Sequence, residues 1–183
     1  SKRPKTIDKV IDAIFQIQGG YALVMLTQNS LIGVRDPYGI RPLVIGKLGS
    51  SYVLASETCA FDIIGAKFIR EVENGEIVLI EKNELKSIKP FPLKKVRPCV
   101  FEYIYFSRPD SLIGGKTAYE HRKNLGRELA KESKIDADIV VPVPDSGNAA
   151  AMGFAQELKM NFEHGLIRNH YVCLLYTSPS PRD

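Results

Sequence analysis

Apolar residues Ile7, Val10, Ile11 and Ile14 recur at steps of three and four, the period that lines one face of an α-helix. Thr6 stands ahead of them as the expected N-cap, and Gly19 with Gly20 is expected to stop the helix. The rhythm then changes. Short apolar runs at 21–26, 31–34, 43–46, 52–55 and 76–80 are separated by turn-forming stretches at 28–30, 36–39, 48–50 and 73–75. This pattern predicts antiparallel strands of one sheet, with a short helix over 58–65 laid against it. Pro90, Pro92 and Pro98 then forbid a continuous helix or central strand, so a linker is expected over 90–98.

Past the linker, Thr117 and Glu120 have the spacing of a capping box, which predicts a helix from there to about Ser133. Residues 138–143 read as a buried strand, 144–147 (Pro-Asp-Ser-Gly) as a turn, and 149–160 as a helix. Helix, strand, tight turn and helix in that order belong to α/β architecture. In the aromatic run before it, alternation places Tyr103 and Tyr105 on one face of a strand, where core packing or the lining of a channel is expected.

Composition narrows the function classes. With 25 Lys+Arg against 21 Asp+Glu, the net charge of +4 is too diffuse to imply nucleic acid, and the basic cluster Lys94, Lys95, Arg97 is short and interrupted. Cys59, Cys99 and Cys173 lie far apart, and His121, His164 and His170 have no metal-ligand spacing. A disulfide framework is not expected, which favours a reducing, cytoplasmic setting. No apolar stretch approaches the ~18–20 residues of a membrane span, so no membrane partner is expected. Position 1 is serine, not methionine, as expected of a piece of a longer protein. The stretch 173–183, with Ser-Pro-Ser-Pro, matches neither half in rhythm and resembles a translated adapter, so it is set aside as artefactual.

Six stretches carry a resemblance. Arg-Asp-Pro-Tyr-Gly-Ile-Arg-Pro-Leu at 35–43, Leu-Ala-Ser-Glu at 54–57 and Glu-Asn-Gly-Glu at 73–76 resemble the later half of a class II glutamine amidotransferase domain. Phe-Glu-Tyr-Ile-Tyr-Phe-Ser-Arg-Pro-Asp-Ser at 101–111, then 141–147 and 165–172, follow in the order of the amidophosphoribosyltransferase family. The resemblance covers 1–172. It implies a two-domain α/β and α+β fragment. Residues 1–89 would be the C-terminal part of an Ntn-type αββα amidotransferase domain and 90–98 a linker. Residues 99–172 would be the N-terminal part of a type I phosphoribosyltransferase domain. Family members hydrolyse glutamine at an N-terminal cysteine and use the ammonia to displace pyrophosphate from phosphoribosyl pyrophosphate (PRPP), the first step of purine synthesis. The nucleophile and the paired-aspartate PRPP motif are not within this sequence, so the fragment itself is expected to be inactive.

The resemblance also implies site residues. Asp145, Ser146 and Gly147 would meet PRPP and its Mg²⁺, although relatives with serine at 147 contact the metal through a hydroxyl that glycine lacks. Arg168, Asn169 and Tyr171, beside His170, match the start of a loop that closes over PRPP, where a guanidinium suits phosphate. Cys99 matches a ligand of the [4Fe–4S] cluster that some members carry; such a cluster needs four ligands. Purine nucleotides are implied as feedback inhibitors and a homo-oligomer as the parent's state. Two rival readings are a non-catalytic binding or assembly module and asparagine synthetase. The latter predicts a Ser-Gly-Gly-x-Asp loop where this sequence has Pro-Asp-Ser-Gly. Unpaired sheet edges and open apolar faces predict poor solubility for the fragment.

Overall fold

The computed structural model describes residues 4–92, 94–133 and 135–171. It divides into two compact units, Ser1–Gly115 and Lys116–Asp183. The expected artefactual tail and Cys173 lie outside the described residues.

In the first unit, α1 (Thr6–Ile14) presents Ile7, Val10, Ile11 and Ile14 to a core that also holds Tyr21, Ile32, Val34, Ile77 and Leu79. Thr6 is the first helical residue, and Lys5 occupies the cap without a side-chain bond. The helix ends at Phe15, before the two glycines, and its ring meets Phe91 at 4.8 Å between centroids. The strands are β1 (Ala22–Leu26), β2 (Leu31–Arg35), β3 (Val44–Leu48), β4 (Ser51–Ala55), β5 (Lys67–Glu71), β6 (Ile77–Glu81) and β7 (Glu84–Ile88). They form two sheets, not the one expected from the pattern. One is antiparallel in the order β1-β2-β6-β7, and the other is β4-β3-β5.

The reason lies in β6, which is buried on both faces. Ile77 and Leu79 enter the core beneath α1, while Val78 enters a second core with Ile45 of β3 and with Leu43 and Val72, which flank β3 and β5. Gly33 permits the close approach: a Cβ there would lie 2.7 Å from Leu54 Cδ1 and 2.8 Å from Val78 Cγ2. On the remaining face, α2 (Cys59–Ile64) sets Phe61 against Gly46, and Gly65 closes the helix in the left-handed region at φ 72°. The layers therefore run helix, sheet, sheet, helix.

The proline-rich stretch does not separate the units. Backbone amides of Arg97 and Cys99 donate to the carbonyls of Tyr38 and Ile40 at 2.8 and 3.2 Å, and residues up to Gly115 stay with the first unit. Glu102–Phe106 is a π-helical turn, not a strand. Tyr103 and Tyr105 consequently diverge: Tyr103 is half-buried, whereas Tyr105 is exposed.

In the second unit the capping box forms as expected. Thr117 accepts from the Glu120 amide at 3.1 Å, the Glu120 carboxylate accepts from the Thr117 amide at 3.0 Å, and α3 runs Ala118–Glu132. It packs on α4 (Asn148–Leu158) through two glycines. A Cβ on Gly126 would strike the Ala150 carbonyl, and one on Gly153 the Lys123 carbonyl. The expected strand over 138–143 is reduced to Ile139–Val140, paired in parallel with Asn161–Phe162.

Candidate functional site

The turn at 36–39 is built around Asp36, which is fully buried. Its carboxylate accepts from the amides of Tyr38 at 2.9 Å and Arg41 at 3.1 Å, and Gly39 adopts the φ of 65° that closes the turn. The flanking arginines take other partners. Arg35 reaches Glu71 at 3.2 Å and the Val72 carbonyl at 2.7 Å, while Arg41 reaches Glu102 at 2.8 Å and lies over the Phe106 ring. The turn is thus held by amides and by Arg35, which also donates to the carbonyls of Arg41 at 3.0 Å and Gly39 at 3.4 Å, while the Arg41 guanidinium holds another segment.

One of those segments is 101–111. Glu102 is buried; Arg41 approaches one carboxylate oxygen and the Ser107 hydroxyl donates to the other at 3.0 Å. Glu57, just after β4, accepts through one oxygen from the Arg108 amide and the Ser111 hydroxyl, each at 2.7 Å. The Thr58 hydroxyl accepts from the Leu112 amide at 2.8 Å. Glu57, Glu102, Ser107, Ser111 and Leu112 wall a cavity of about 230 Å³ together with Ile40, Cys99 and Tyr103. Neither Glu57 nor Thr58 was legible as functional from the sequence. The available signal was an acidic residue and a hydroxyl placed between a strand end and a helix start, facing a polar Ser-Arg-Pro-Asp-Ser loop.

The second cluster lies in the other unit, at the turn between Ile139–Val140 and α4. Gly147 occupies the helix cap with no side-chain bond, so the first turn keeps the donor character of a helix N-terminus. Asp145 and Ser146 are exposed beside it. Arg168 is brought to this turn: its guanidinium lies 3.1 Å from the Asp145 carboxylate. Asn169 is not; its side chain accepts locally from the Tyr171 amide at 3.0 Å, and the Tyr171 ring is wholly exposed. The Asp145 carboxylate and Ser146 hydroxyl are hard oxygen donors of the kind Mg²⁺ takes alongside substrate phosphates. At Gly147 a Cβ would come within 2.7 Å of the Val143 carbonyl oxygen, so the backbone here leaves no room for a metal-binding side chain. Cys99 is half-buried in the other unit, and among the described residues no three His, Cys, Asp or Glu side chains gather to hold a metal. The described residues therefore do not fit an iron–sulfur cluster by themselves.

A family model described as a glutamine amidotransferase domain matches residues 4–62. The chain is 53% identical over 185 residues to the amidophosphoribosyltransferase of Rhizobium etli, covering 98% of this chain and 37% of that protein. The Bacillus subtilis amidophosphoribosyltransferase is 46% identical, covering 94% of the chain and 36% of the relative. A solved structure of the B. subtilis glutamine PRPP amidotransferase, complexed with ADP and GMP, superposes with a TM-score of 0.92 at 44% identity, across 100% of this chain and 40% of that one. This sequence is a segment of the amidophosphoribosyltransferase family. It spans a little over a third of the curated relatives' length. Family members are not confined to one compartment, since a 45% identical relative from Arabidopsis thaliana is named as chloroplastic. Among the described residues no helix is long and apolar enough to cross a membrane. Of the amidophosphoribosyltransferase features expected from the sequence, Asp145 and Arg168 are the pair that the fold brings together.

Proposed function

We propose that the chain serves, within its parent protein, as the joined parts of a glutamine amidotransferase domain and a PRPP-binding phosphoribosyltransferase domain, carried by the compact units Ser1–Gly115 and Lys116–Asp183 in turn. The parent then converts PRPP, glutamine and water into phosphoribosylamine, glutamate and pyrophosphate. The observation that carries the PRPP assignment is the Asp145–Arg168 pair beside the N-terminus of α4. A carboxylate for Mg²⁺, a guanidinium for phosphate and a helix N-terminus for negative charge together match a Mg²⁺-bound pyrophosphate group. In this reading Arg168 leaves Asp145 for the substrate when the metal takes the carboxylate. Purine nucleotides, sharing the ribose phosphate, are the class of feedback ligand, a reading supported by the ADP and GMP of the solved B. subtilis relative, and the parent assembles as a homo-oligomer.

The test is pyrophosphate release from PRPP by the full-length protein with Mg²⁺ and either glutamine or ammonia. Arg168→Ala is expected to raise the KM for PRPP by about 10–100-fold, the loss of one charge-assisted phosphate contact. Glutamine hydrolysis measured without PRPP should stay unchanged. A wild-type protein that consumes no PRPP, or an Arg168→Ala variant with unaltered KM, defeats the assignment.

A further inference from the structure

Of the asparagines in the chain, Asn74 alone is followed by glycine. That dipeptide has a chemistry of its own. The backbone nitrogen after an asparagine can attack the side-chain carbonyl carbon, and glycine, lacking a Cβ, gives the least steric resistance and the widest choice of φ and ψ for the approach. Asparagine is accordingly one of the thermolabile residues.

The fold holds both reacting groups away from that approach. Asn74 and Gly75 are the central residues of a turn in which the Glu76 amide donates to the Glu73 carbonyl at 3.1 Å and Gly75 adopts φ 69°. The Gly75 nitrogen is the attacking atom. Its hydrogen is donated to the carbonyl of the fully buried Asp36 at 3.0 Å, which opposes the loss of the proton that attack requires. The Asn74 carboxamide lies against the neighbouring turn, where a Cβ on Gly39 would strike its oxygen. Gly75 is buried, and a Cβ there would touch Phe91 and Pro37. The turns at 36–39 and 73–76 thus shield one another, and the Asp36 carbonyl, which also accepts from the Gly39 amide at 3.0 Å, is their common anchor.

We propose that Asn74 and Gly75 form a covalent modification site that is closed in the folded first unit and reacts when these two turns separate. The Gly75 nitrogen then bonds to Asn74 Cγ, the Cγ–Nδ2 bond breaks, and ammonia leaves with the proton of the Gly75 amide. Water opens the resulting cyclic imide at either carbonyl, leaving aspartate or isoaspartate at position 74. Either product adds a carboxylate to a turn that already ends in Glu73 and the Arg70-bound Glu76. Isoaspartate also lengthens the main chain by one methylene, so the Gly75 amide no longer meets the Asp36 carbonyl. A molecule that has opened is therefore marked, and the mark opposes its refolding. The site lies within the first unit and does not depend on the proposed function.

The test uses the full-length protein at neutral pH and a single temperature, in buffer and in urea above the unfolding midpoint, with position 74 followed by peptide mapping and mass spectrometry. Conversion in buffer is expected to be at least about tenfold slower than in urea, because the reaction waits on opening of the turns. Gly39→Ala displaces the Asn74 side chain, and it is expected to raise the rate in buffer at least about threefold while leaving the rate in urea unchanged. If that variant does not fold, its two rates should be equal. After removal of urea from a partly converted wild-type sample, the refolded fraction should hold the two products at no more than about half their share in the unfolded fraction. Equal wild-type rates in buffer and urea overturn the closed site, and no conversion in urea overturns the site itself. An unaltered rate for folded Gly39→Ala overturns the shielding by the 36–39 turn, and an even distribution of products overturns their effect on refolding.

Discussion

Replacing Glu76 by glutamine tests the electrostatic logic of the first unit. Glu76 is fully buried, yet it is ionised: Arg70 approaches it through two nitrogens at 2.8 and 2.7 Å, and the Glu73 amide donates at 2.6 Å. Burial alone would push its carboxyl up. The Arg70 hydrogen bond, the Glu73 amide, the Ser87 hydroxyl and the Arg70 charge outweigh it and hold the group below its ordinary value of 4.5. Glu76→Gln keeps the shape but removes the charge and turns an amide donor toward a guanidinium. Removing one member of a buried pair costs roughly 3–5 kcal/mol, and the exposure of Arg70 to water brings this to about 3 kcal/mol. With a urea m value of ~1.5 kcal/mol/M, the unfolding midpoint of the first unit falls by about 2 M. Circular dichroism reads this directly. The pH dependence has a fixed sign: because the folded value is depressed, the contribution is complete above 4.5 and is lost as pH falls through the lower folded value. Wild type and Glu76→Gln should therefore converge on acidification. A gap below ~0.5 kcal/mol at neutral pH, or one that persists unchanged to about pH 3, would refute the reasoning.

Two further substitutions probe the second unit. Gly126→Ala places a methyl group on the Ala150 carbonyl of the facing helix, so despite alanine's higher helix propensity of about 1 kcal/mol, exchange protection in α3 and α4 should fall by ~1–3 kcal/mol; a gain in protection would show that the helices do not cross this closely. Thr117→Ala removes the side-chain half of the capping box and should cost about 1 kcal/mol in the first turn of α3, with Thr117→Ser restoring it; equal protection in all three proteins would remove the cap from the account.

What the sequence made legible was local. The capping box at Thr117 and Glu120, the short helix over 58–65 and the Asp-Pro-Tyr-Gly turn each depend on a few neighbouring residues, and each formed where expected. The single sheet did not form, because strand partners are chosen over long distances. β2 pairs with β6, and β3 with β5, whose residues 67–71 are mostly exposed and lack a clear alternating pattern. The aromatic run at 101–106 was ambiguous for a different reason. Apolar residues throughout suit a strand or a buried turn equally, and the Ser107 bond to Glu102, which stabilises the observed π-helical turn, is invisible to periodicity. At the sites, Asp145 and Arg168 were found through resemblance, and the structure adds that they meet. Glu57 was missed because its partners are backbone and hydroxyl groups fifty residues away.

Three of the four stretches that carry the family resemblance in the first unit turn out to be one physical object. Arg41 comes from the first, Glu57 from the second, and Glu102, Arg108 and Ser111 from the third, and they are mutual hydrogen-bond or ion-pair partners. A buried polar network of this kind constrains sequence more tightly than a hydrophobic core of equal size. An apolar contact tolerates another apolar residue of similar volume, whereas losing one member of a satisfied network orphans its partners. The resemblance at 35–43, 54–57 and 101–111 therefore follows from the demand that these residues match one another. It requires no substrate at any of them. The turn at 145–147 is the opposite case. Asp145 and Arg168 are exposed and joined by an ion pair worth little to stability, so packing gives no reason for a carboxylate, a hydroxyl and a guanidinium to be there. Ligand binding is the remaining demand that would select those three groups, in keeping with the proposed PRPP site, whereas the cluster of Arg41, Glu57, Glu102, Arg108 and Ser111 is accounted for by bonds within the first unit.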